Sequence, residues 1–486
     1  MGNDRSLKKN VIYNLVRNIS LMVFPLVTFP YINRILGVDN VGRYNFANSI
    51  VQYFLLFAGL GVSGYSIREG AKLRDRPEKS DRFMSEMFSI NMIAAILAYI
   101  AMLLLVIFWK EANHYKGLIC ILGVMIVASP FSVTWLFTIY EDFLYITRRT
   151  ILFQILSIVL LFVFVKDKND VNLYAVVSVI SNVGSNIYNY IYGKKYCRLH
   201  FTYKIDWKKH MPPIMIIFIT SLSIAIYVNS DITILGMMHS DHHVGLYSIS
   251  VKVYNLLKNA LISILTVVQA RSAFYIGTGQ DGELGQLSAL VINLIIFLSF
   301  PIMAGVIALH KEIILILANE DFLEAGSSLC ILITATAFNV FGVFFNTCIL
   351  MPYKKERAIF YLSIIGALTN VALNFILIPL FAENAAALTT VVSEFLIFAV
   401  ESKLAYKYID LNKSMIRNLL ASLIGSIMIL VVSFIVHDFV SDLIINVMII
   451  FLCGSIIYLF IHLALDIKLS GVINKWCDEI LKRTCR

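Results

Sequence analysis

Three basic side chains lie inside long apolar segments, where a charge is costly and therefore informative. They are Arg17, Lys252 and Lys258. A charge at the centre of a bilayer costs about 2.5–3.5 kcal/mol, so these groups should face a cavity or the interior of a helix bundle. Such a cavity would suit a phosphate, which guanidinium groups bind bidentately and ammonium groups bind as point charges. Lys258, near mid-segment, is the strongest candidate, whereas Arg17 could instead extend to the membrane interface.

Amide and hydroxyl side chains accompany the basic residues at helical spacing. Residues three or four apart share one helix face, and a polar face turned to lipid would be costly. The residues expected to line the cavity beside the three bases are Asn14, Asn45, Ser49, Gln52, Asn255 and Asn259. The alternative is that these residues hydrogen-bond neighbouring helices to one another without lining a cavity.

Two acidic residues within apolar segments, Asp231 and Glu394, are candidates for binding a coupling ion, either H⁺ or Na⁺. They could equally pair with the basic residues, and the sequence leaves both interpretations open. Apart from a coupling ion, no cofactor is expected.

Motifs for catalysis and metal binding are out of context or missing from the sequence. The stretch 277–282 fits G-x-G-x-x-G but follows a membrane segment instead of a strand, which excludes a dinucleotide site. The residues of 239–243 include three histidines that cannot easily all turn toward one ion, so no metal site is expected. The sequence contains no Walker A or G-x-S-x-G motif, and we expect that the protein is not an enzyme.

Membrane-spanning helices must position these residues. Of the 486 residues, 59% are hydrophobic and 15% are charged, and the mean hydropathy is +0.79. Apolar runs of about 20 residues recur along the chain, and spans inside hydrocarbon must be helical here. The predicted spans are 11–33, 43–65, 83–108, 117–139, 150–165, 172–192, 214–236, 246–271, 287–308, 327–350, 358–380, 384–406, 415–436 and 442–464. The sequence therefore predicts an all-α polytopic membrane protein with about 14 transmembrane helices.

The distribution of Lys and Arg predicts the orientation of these helices. Basic residues concentrate in alternate loops and at both ends of the chain, and cytoplasmic loops carry this excess. Both termini are therefore expected in the cytoplasm. The net charge of +9 mainly reflects this bias, and no nucleic-acid partner is expected. The seven cysteines form no C-x-x-C pair and predict neither a disulfide framework nor a zinc site.

A similar turn sequence occurs twice, as ILGVDNVGRY at 35–44 and as ILGMMHSDHHVGLY at 234–247. The copies are six spans apart, an even number, so both halves point the same way through the membrane. Parallel repeats are typical of two-lobed alternating-access transporters. The alternative is that a G-x-Y turn recurs by chance.

The repeat divides the chain into two pseudo-symmetric six-helix lobes and a C-terminal helix pair. We predict an N-lobe at 1–192, a cytoplasmic linker at 193–213, a C-lobe at 214–410, and the last two helices with a cytoplasmic tail at 411–486.

Short motifs occur in order along nearly the whole chain, at 35–44, 67–69, 135–143, 231–236 and 366–394. Together they resemble those of the polysaccharide flippases in the multidrug/oligosaccharidyl-lipid/polysaccharide exporter superfamily. The third is similar to that family's W-L-F-Q-G-x-E, except that Thr138 and Ile139 replace Gln and Gly. At 382–386 the sequence reads A-E-N-A-A in place of the family's G-x-x-G-A-A.

The resemblance implies a flippase in the bacterial cytoplasmic (inner) membrane. It would move an undecaprenyl-diphosphate-linked oligosaccharide repeat from the cytoplasmic to the periplasmic leaflet, for O-antigen, capsule or a similar polymer. A two-lobed cavity, alternating access and coupling to an ion gradient or potential are implied as well. The lipid bilayer, the lipid-linked glycan, a polysaccharide polymerase and a chain-length regulator are the expected partners.

Other functions remain open at this point. A lipid II flippase and a multidrug exporter belong to the same superfamily, although cationic drugs favour an acidic cavity. A membrane polysaccharide polymerase or glycosyltransferase would need a large loop or catalytic domain, and the longest outer loop, about 309–326, is short for that.

Overall fold

The protein is almost entirely helical in a computed structural model that describes residues 7–409, 413–440 and 442–465. No β-strand occurs among these residues. The first helices are α1 Leu7–Gly59, α2 Val62–Gly70, α3 Pro77–Phe108, α4 Lys116–Ala128, α5 Thr134–Ile139, α6 Phe143–Phe164, α7 Val171–Gly193 and α8 Trp207–Met238. They are followed by α9 Asp241–Thr278, α10 Asp281–Ala308, α11 His310–Leu317, α12 Ala325–Ile333, α13 Ala335–Val343, α14 Glu356–Ala405, α15 Lys413–Phe439 and α16 Leu443–Ala464. The prediction of an all-α polytopic membrane protein is confirmed.

Eleven stretches of helix among the described residues are long and apolar enough to cross a membrane. Two of them contain a kink, because Gly37 in α1 and Ala382 in α14 have non-helical backbone angles. Both kinks fall where the hydropathy pattern predicts a turn between spans. The helix α7 has 23 residues but is not among the eleven, since Asn and Ser are frequent in it. The count of fourteen spans stays a prediction.

The chain forms two compact units. The first comprises the described residues up to Ser248 together with Leu317–Asp321, and the second comprises Ile249–Ile316 and the described residues from Phe322 onward. In the first unit, the motif Trp135–Phe137 is buried in a core cluster with Tyr65 and Met87. In the second unit, Phe344 and Cys348 are fully buried among residues of α9 and α10. The predicted lobe boundaries stay a prediction.

The two copies of the repeated turn pack against each other within the first unit. A Cβ atom on Gly42 would lie 1.8 Å from the carbonyl oxygen of Asp241 and 2.8 Å from the nitrogen of Gly245. A Cβ atom on Gly245 would lie 2.2 Å from the carbonyl oxygen of Val38. Only glycine permits this approach of one helix backbone to another. The repeat therefore forms a backbone contact between α1 and the start of α9.

A network of buried polar groups joins three helices of the first unit. On α8, His210 Nδ1 lies 2.9 Å from the Tyr65 hydroxyl of α2. Its Nε2 lies 2.9 Å from a carboxylate oxygen of Glu86 on α3. The other oxygen of that carboxylate lies 2.9 Å from Arg82 Nε. A fully satisfied buried network of this kind fixes the arrangement of the helices that carry it.

The thiol of Cys197, which follows α7, is expected to be nearly inert at neutral pH. Burial, helped by the negative charge of Asp81, raises the pKa of this thiol to about 12. Because the thiolate is the nucleophile, little reactive species is present. In a variant whose other six cysteines are serine, we expect slow maleimide labelling in native membranes and rapid labelling after denaturation. Equal rates in both states would contradict the buried position.

Candidate functional site

A cavity of about 680 Å³ lies within the first unit, between α1, α4, α6 and α7. This volume is within the usual range of small-molecule sites. Its polar lining includes Arg17, Thr28, Tyr44, Asn48, Gln52, Ser129, Ser132, Arg149, Thr150, Gln154, Ser157, Tyr174, Ser178, Ser181, Asn182, Ser185 and Asn186. Among the described lining residues two are basic and none is acidic. The cavity therefore offers positive charge without an internal counter-ion.

The guanidinium of Arg149 reaches this cavity from the second turn of α6. Its Nη1 donates a 2.6 Å hydrogen bond to the Ser185 hydroxyl of α7, which fixes the side chain. Its Nε is buried and has no hydrogen-bond partner among the described residues. A buried donor without a partner is costly unless water or a ligand accepts its hydrogen bond. Arg149 is therefore held in place with one donor available.

Arg17 of α1 supplies the second positive charge. Its Nε is also buried without a hydrogen-bond partner among the described residues. The positive charge of Arg17 acts on Arg149 and repels its charge. Two like charges at one site favour an anion that contacts both. The side chain of Arg17 lines this cavity, and its assignment to a substrate site stays a prediction.

Amide and hydroxyl groups form the rest of the polar wall. Gln154 is hydrogen-bonded to Ser20 through both its oxygen and its nitrogen. The hydroxyl of Tyr44, from the first copy of the repeated turn, donates to Ser178 at 3.2 Å, and its ring packs on Tyr174. Hydroxyl and amide groups of this kind match the donors and acceptors of a sugar.

The predicted cavity residues of α1 separate into two groups. Gln52 lines the cavity together with Arg17, whereas Asn14, Asn45 and Ser49 are outside its lining. Ser49 is buried, donates to the Phe46 carbonyl at 2.8 Å and accepts from Thr233 of α8 at 3.0 Å. For Ser49 these contacts fit the alternative interpretation, in which a polar residue hydrogen-bonds a neighbouring helix without lining a cavity.

Asn14 and Asn45 are both half-buried. The amide nitrogen of Asn45 is buried and has no hydrogen-bond partner among the described residues.

The predicted residues of α9 belong to the second unit. Lys252, Asn255 and Lys258 are half-buried and Asn259 is exposed. The ammonium of Lys258 lies 4.6 Å from the centre of the Tyr254 ring. It also interacts with the negative charge of Glu394. The assignment of these four residues to a substrate site stays a prediction.

The two candidate coupling acids are buried and hydrogen-bonded. Asp231 accepts a 2.8 Å hydrogen bond from the hydroxyl of Tyr247, the tyrosine of the second repeat copy. Glu394 accepts a 2.7 Å hydrogen bond from the Asn339 amide. No group of three or more His, Cys, Asp or Glu in the described part of the chain has the geometry of a metal site.

The sequence did not single out Arg149, because the predicted span begins at 150. The helix α6 begins at Phe143, seven residues before the predicted span. Asp142 caps the helix by accepting a hydrogen bond from the Tyr145 N–H at 3.3 Å. An Asp directly before an apolar run is a helix-start signal that could have placed Arg149 inside the span.

Two family models and two named relatives match this chain. Residues 7–269 match the family model described as polysaccharide biosynthesis protein, and residues 216–376 match the MatE model. A protein of Escherichia coli (strain K12) named "Putative O-antigen transporter" is 24% identical over 413 residues, covering 81% of this chain and 95% of that protein. A protein of the same name from Shigella dysenteriae is 20% identical over 400 residues, covering 80% and 98%.

Solved structures with the same fold include the lipid II flippase MurJ in an inward closed conformation. It has a TM-score of 0.74 and 16% identity, covering 93% of this chain and 98% of that one. An inward-facing multidrug resistance MATE family transporter of the MOP superfamily has a TM-score of 0.61 and 11% identity, covering 82% and 94%. At these identities the likeness concerns the fold.

Proposed function

This chain belongs to the family of polysaccharide biosynthesis proteins, and from that premise we propose that it translocates an undecaprenyl-diphosphate-linked oligosaccharide repeat unit. At the level of the family it is a lipid-linked oligosaccharide flippase of the MOP superfamily, a multi-pass membrane transporter and not an enzyme. The proposed direction is from the cytoplasmic to the periplasmic leaflet of the bacterial inner membrane, with both termini in the cytoplasm.

The observation that carries this proposal is the basic cavity of the first unit. Arg17 and Arg149 each have a buried Nε that lacks a hydrogen-bond partner among the described residues, and no described acid lines the cavity. A diphosphate accepts hydrogen bonds from both guanidinium groups and neutralises their repulsion. The amide and hydroxyl groups around them then accept hydrogen bonds from sugar hydroxyl groups and donate hydrogen bonds to them.

Transport requires the site to be exposed to each side of the membrane in turn, which two parallel repeats allow by alternating access. In the proposed cycle Lys252, Asn255, Lys258 and Asn259 of α9 supply further contacts to the glycan-diphosphate. Asn14 and Asn45 of α1 are further proposed contacts, whereas the Ser49 hydroxyl is bonded to Thr233 of α8. Asp231 and Glu394 bind the coupling ion, H⁺ or Na⁺. A polysaccharide polymerase and a chain-length regulator would act on the glycan after its release.

Lipid II flipping is the second candidate function. Lipid II carries the same class of diphosphate lipid, so the two arginines would serve it equally well. Export of cationic drugs is disfavoured, because a cavity with two positive charges and no described acid repels a cation.

Deleting the gene is expected to trap one lipid-linked glycan in the cytoplasmic leaflet. Mass spectrometry of extracted lipids should then show undecaprenyl diphosphate bearing a complete oligosaccharide repeat, and re-expression should remove it. Accumulation of lipid II in its place would establish the second candidate, and an unchanged lipid profile would contradict both.

A further inference from the structure

Two buried glutamates occupy one face of α14 in the second unit. Glu394 is 5% exposed and Glu401 is 2% exposed. They are seven residues apart, which corresponds to about two helical turns and about 10 Å along the axis. Glu401 is the closer of the two to the end of α14 at Ala405.

Each glutamate accepts a hydrogen bond from an asparagine on the neighbouring segment. Asn339 of α13 donates to Glu394 at 2.7 Å, and Asn346 donates to Glu401 at 3.3 Å. Both pairs span the same 55 residues of sequence, so the two segments run parallel and the pairs repeat along them. Asn346 lies in a π-helical stretch, Phe344–Leu350. Such stretches are rare and often occur at functional sites.

The two carboxyl groups differ in their surroundings. The charge of Glu394 interacts with Lys258 of α9. Glu401 forms no ion pair among the described residues, and its Oε2 is buried without a hydrogen-bond partner. That oxygen lies 2.9 Å from the position that a Cβ on Gly342 would occupy, so it faces backbone and not a donor. The negative charge of Glu394 also acts on Glu401.

A small cavity of about 310 Å³ reaches the residues beside Glu401. It is lined by Ser402 and Lys403, which follow Glu401, and by Phe345, which precedes Asn346, together with Ile292, Tyr406 and Ile409. These residues lie at the end of α14 that the distribution of Lys and Arg assigns to the cytoplasm. Glu401 itself is not part of the lining, and the cavity ends at the residues next to it in sequence.

A buried carboxylate without a cation beside it is costly, and such a group is neutralised by taking up a proton or an ion. Glu401 accepts one hydrogen bond from an amide, and the described part of the chain holds no group of three or more His, Cys, Asp or Glu that could bind a metal ion. We propose that Glu401 is a proton-binding site loaded from the cytoplasmic side, and that its charge acts on the Glu394–Lys258 pair. The link to transport rests on the proposed function, whereas proton binding does not.

Infrared difference spectroscopy of the purified full-length protein in lipid nanodiscs tests this proposal without any glycan. We expect a protonated carboxylic C=O band at neutral pH that Glu401→Gln removes. The matched control is Glu356→Gln, an exposed position on the same helix, which should leave the band intact. Asn346→Ala keeps the acid but removes its donor, so the band should shift in frequency.

Three results would overturn the proposal. The band could be missing from the wild-type protein, persist unchanged in Glu401→Gln, or be abolished by Na⁺ at constant pH, which would indicate a sodium site instead. If the Glu401→Gln variant does not fold, an unshifted band in the Asn346→Ala protein would also overturn the proposal. None of these results concerns glycan flipping, so the proposed function would be judged separately by the accumulated lipid.

Discussion

Replacing Arg149 with glutamine is expected to lower glycan delivery to the periplasm by about tenfold or more while leaving the amount of folded protein nearly unchanged. Truncating one partner of a buried, hydrogen-bonded charge pair typically costs about 2–5 kcal/mol, and each 1.4 kcal/mol corresponds to about tenfold. The measurement is surface polymer in the deletion strain complemented by each variant, normalised to the quantity of transporter in the membrane. Arg149→Lys should give an intermediate value, because it retains the charge but loses the bidentate geometry.

The neighbouring residue provides a matched control for this experiment. Arg148 has the same chemistry but is exposed, whereas Arg149 is half-buried and lines the cavity. Arg148→Gln should therefore leave delivery close to wild type. The double variant Arg17→Gln/Arg149→Gln should lose less than the product of the single effects, since both groups contact one ligand. Equal losses for the substitutions at 148 and 149 would show that the cavity does not bind the diphosphate.

Hydropathy and charge were sufficient to predict the fold class, because a bilayer demands apolar helices of a set length. Even the kinks at Gly37 and Ala382 fall at turns that the hydropathy pattern predicts. The start of α6 escaped prediction because two adjacent arginines look like a loop. Only one of them is turned toward solvent, and a hydropathy average does not distinguish the two.

The candidate site was predictable in chemistry but only partly in position. Arg17 was identifiable because a charge inside an apolar segment is costly unless it faces a cavity or the interior of a helix bundle. Ser49 illustrates the limit, since helical spacing shows which residues share a face but not what that face contacts. In the structure the Ser49 hydroxyl meets Thr233 of a neighbouring helix, while Gln52, on the same predicted stripe, lines the cavity. Sequence spacing also cannot reveal that one oxygen of Glu401 lacks a donor.

The repeated turn leads to the second large expected effect, on folding itself. Gly42→Ala and Gly245→Ala should each reduce the yield of folded protein strongly and lower the thermal unfolding midpoint of what remains. The added methyl carbons would lie 1.8 Å and 2.2 Å from backbone carbonyl oxygens, and backbone cannot move aside as a side-chain end can. Overpacking typically costs about 1–3 kcal/mol, and overlaps with backbone belong to the upper part of that range or beyond it.

The control for both substitutions is Gly59→Ala, at the end of the same helix as Gly42. Apart from its chain neighbours and the backbone of its own helix, no described atom lies within 4 Å of a Cβ added there. That variant should match the wild type in yield and midpoint. Because Gly42 and Gly245 lie on opposite sides of one contact, the double variant should be less damaging than the sum of the two single variants. Additive effects, or an effect of only one substitution, would mean that the two copies do not share a contact and would favour chance recurrence. Mutual dependence would instead show that the glycines of the two V-G-x-Y copies share one packing contact.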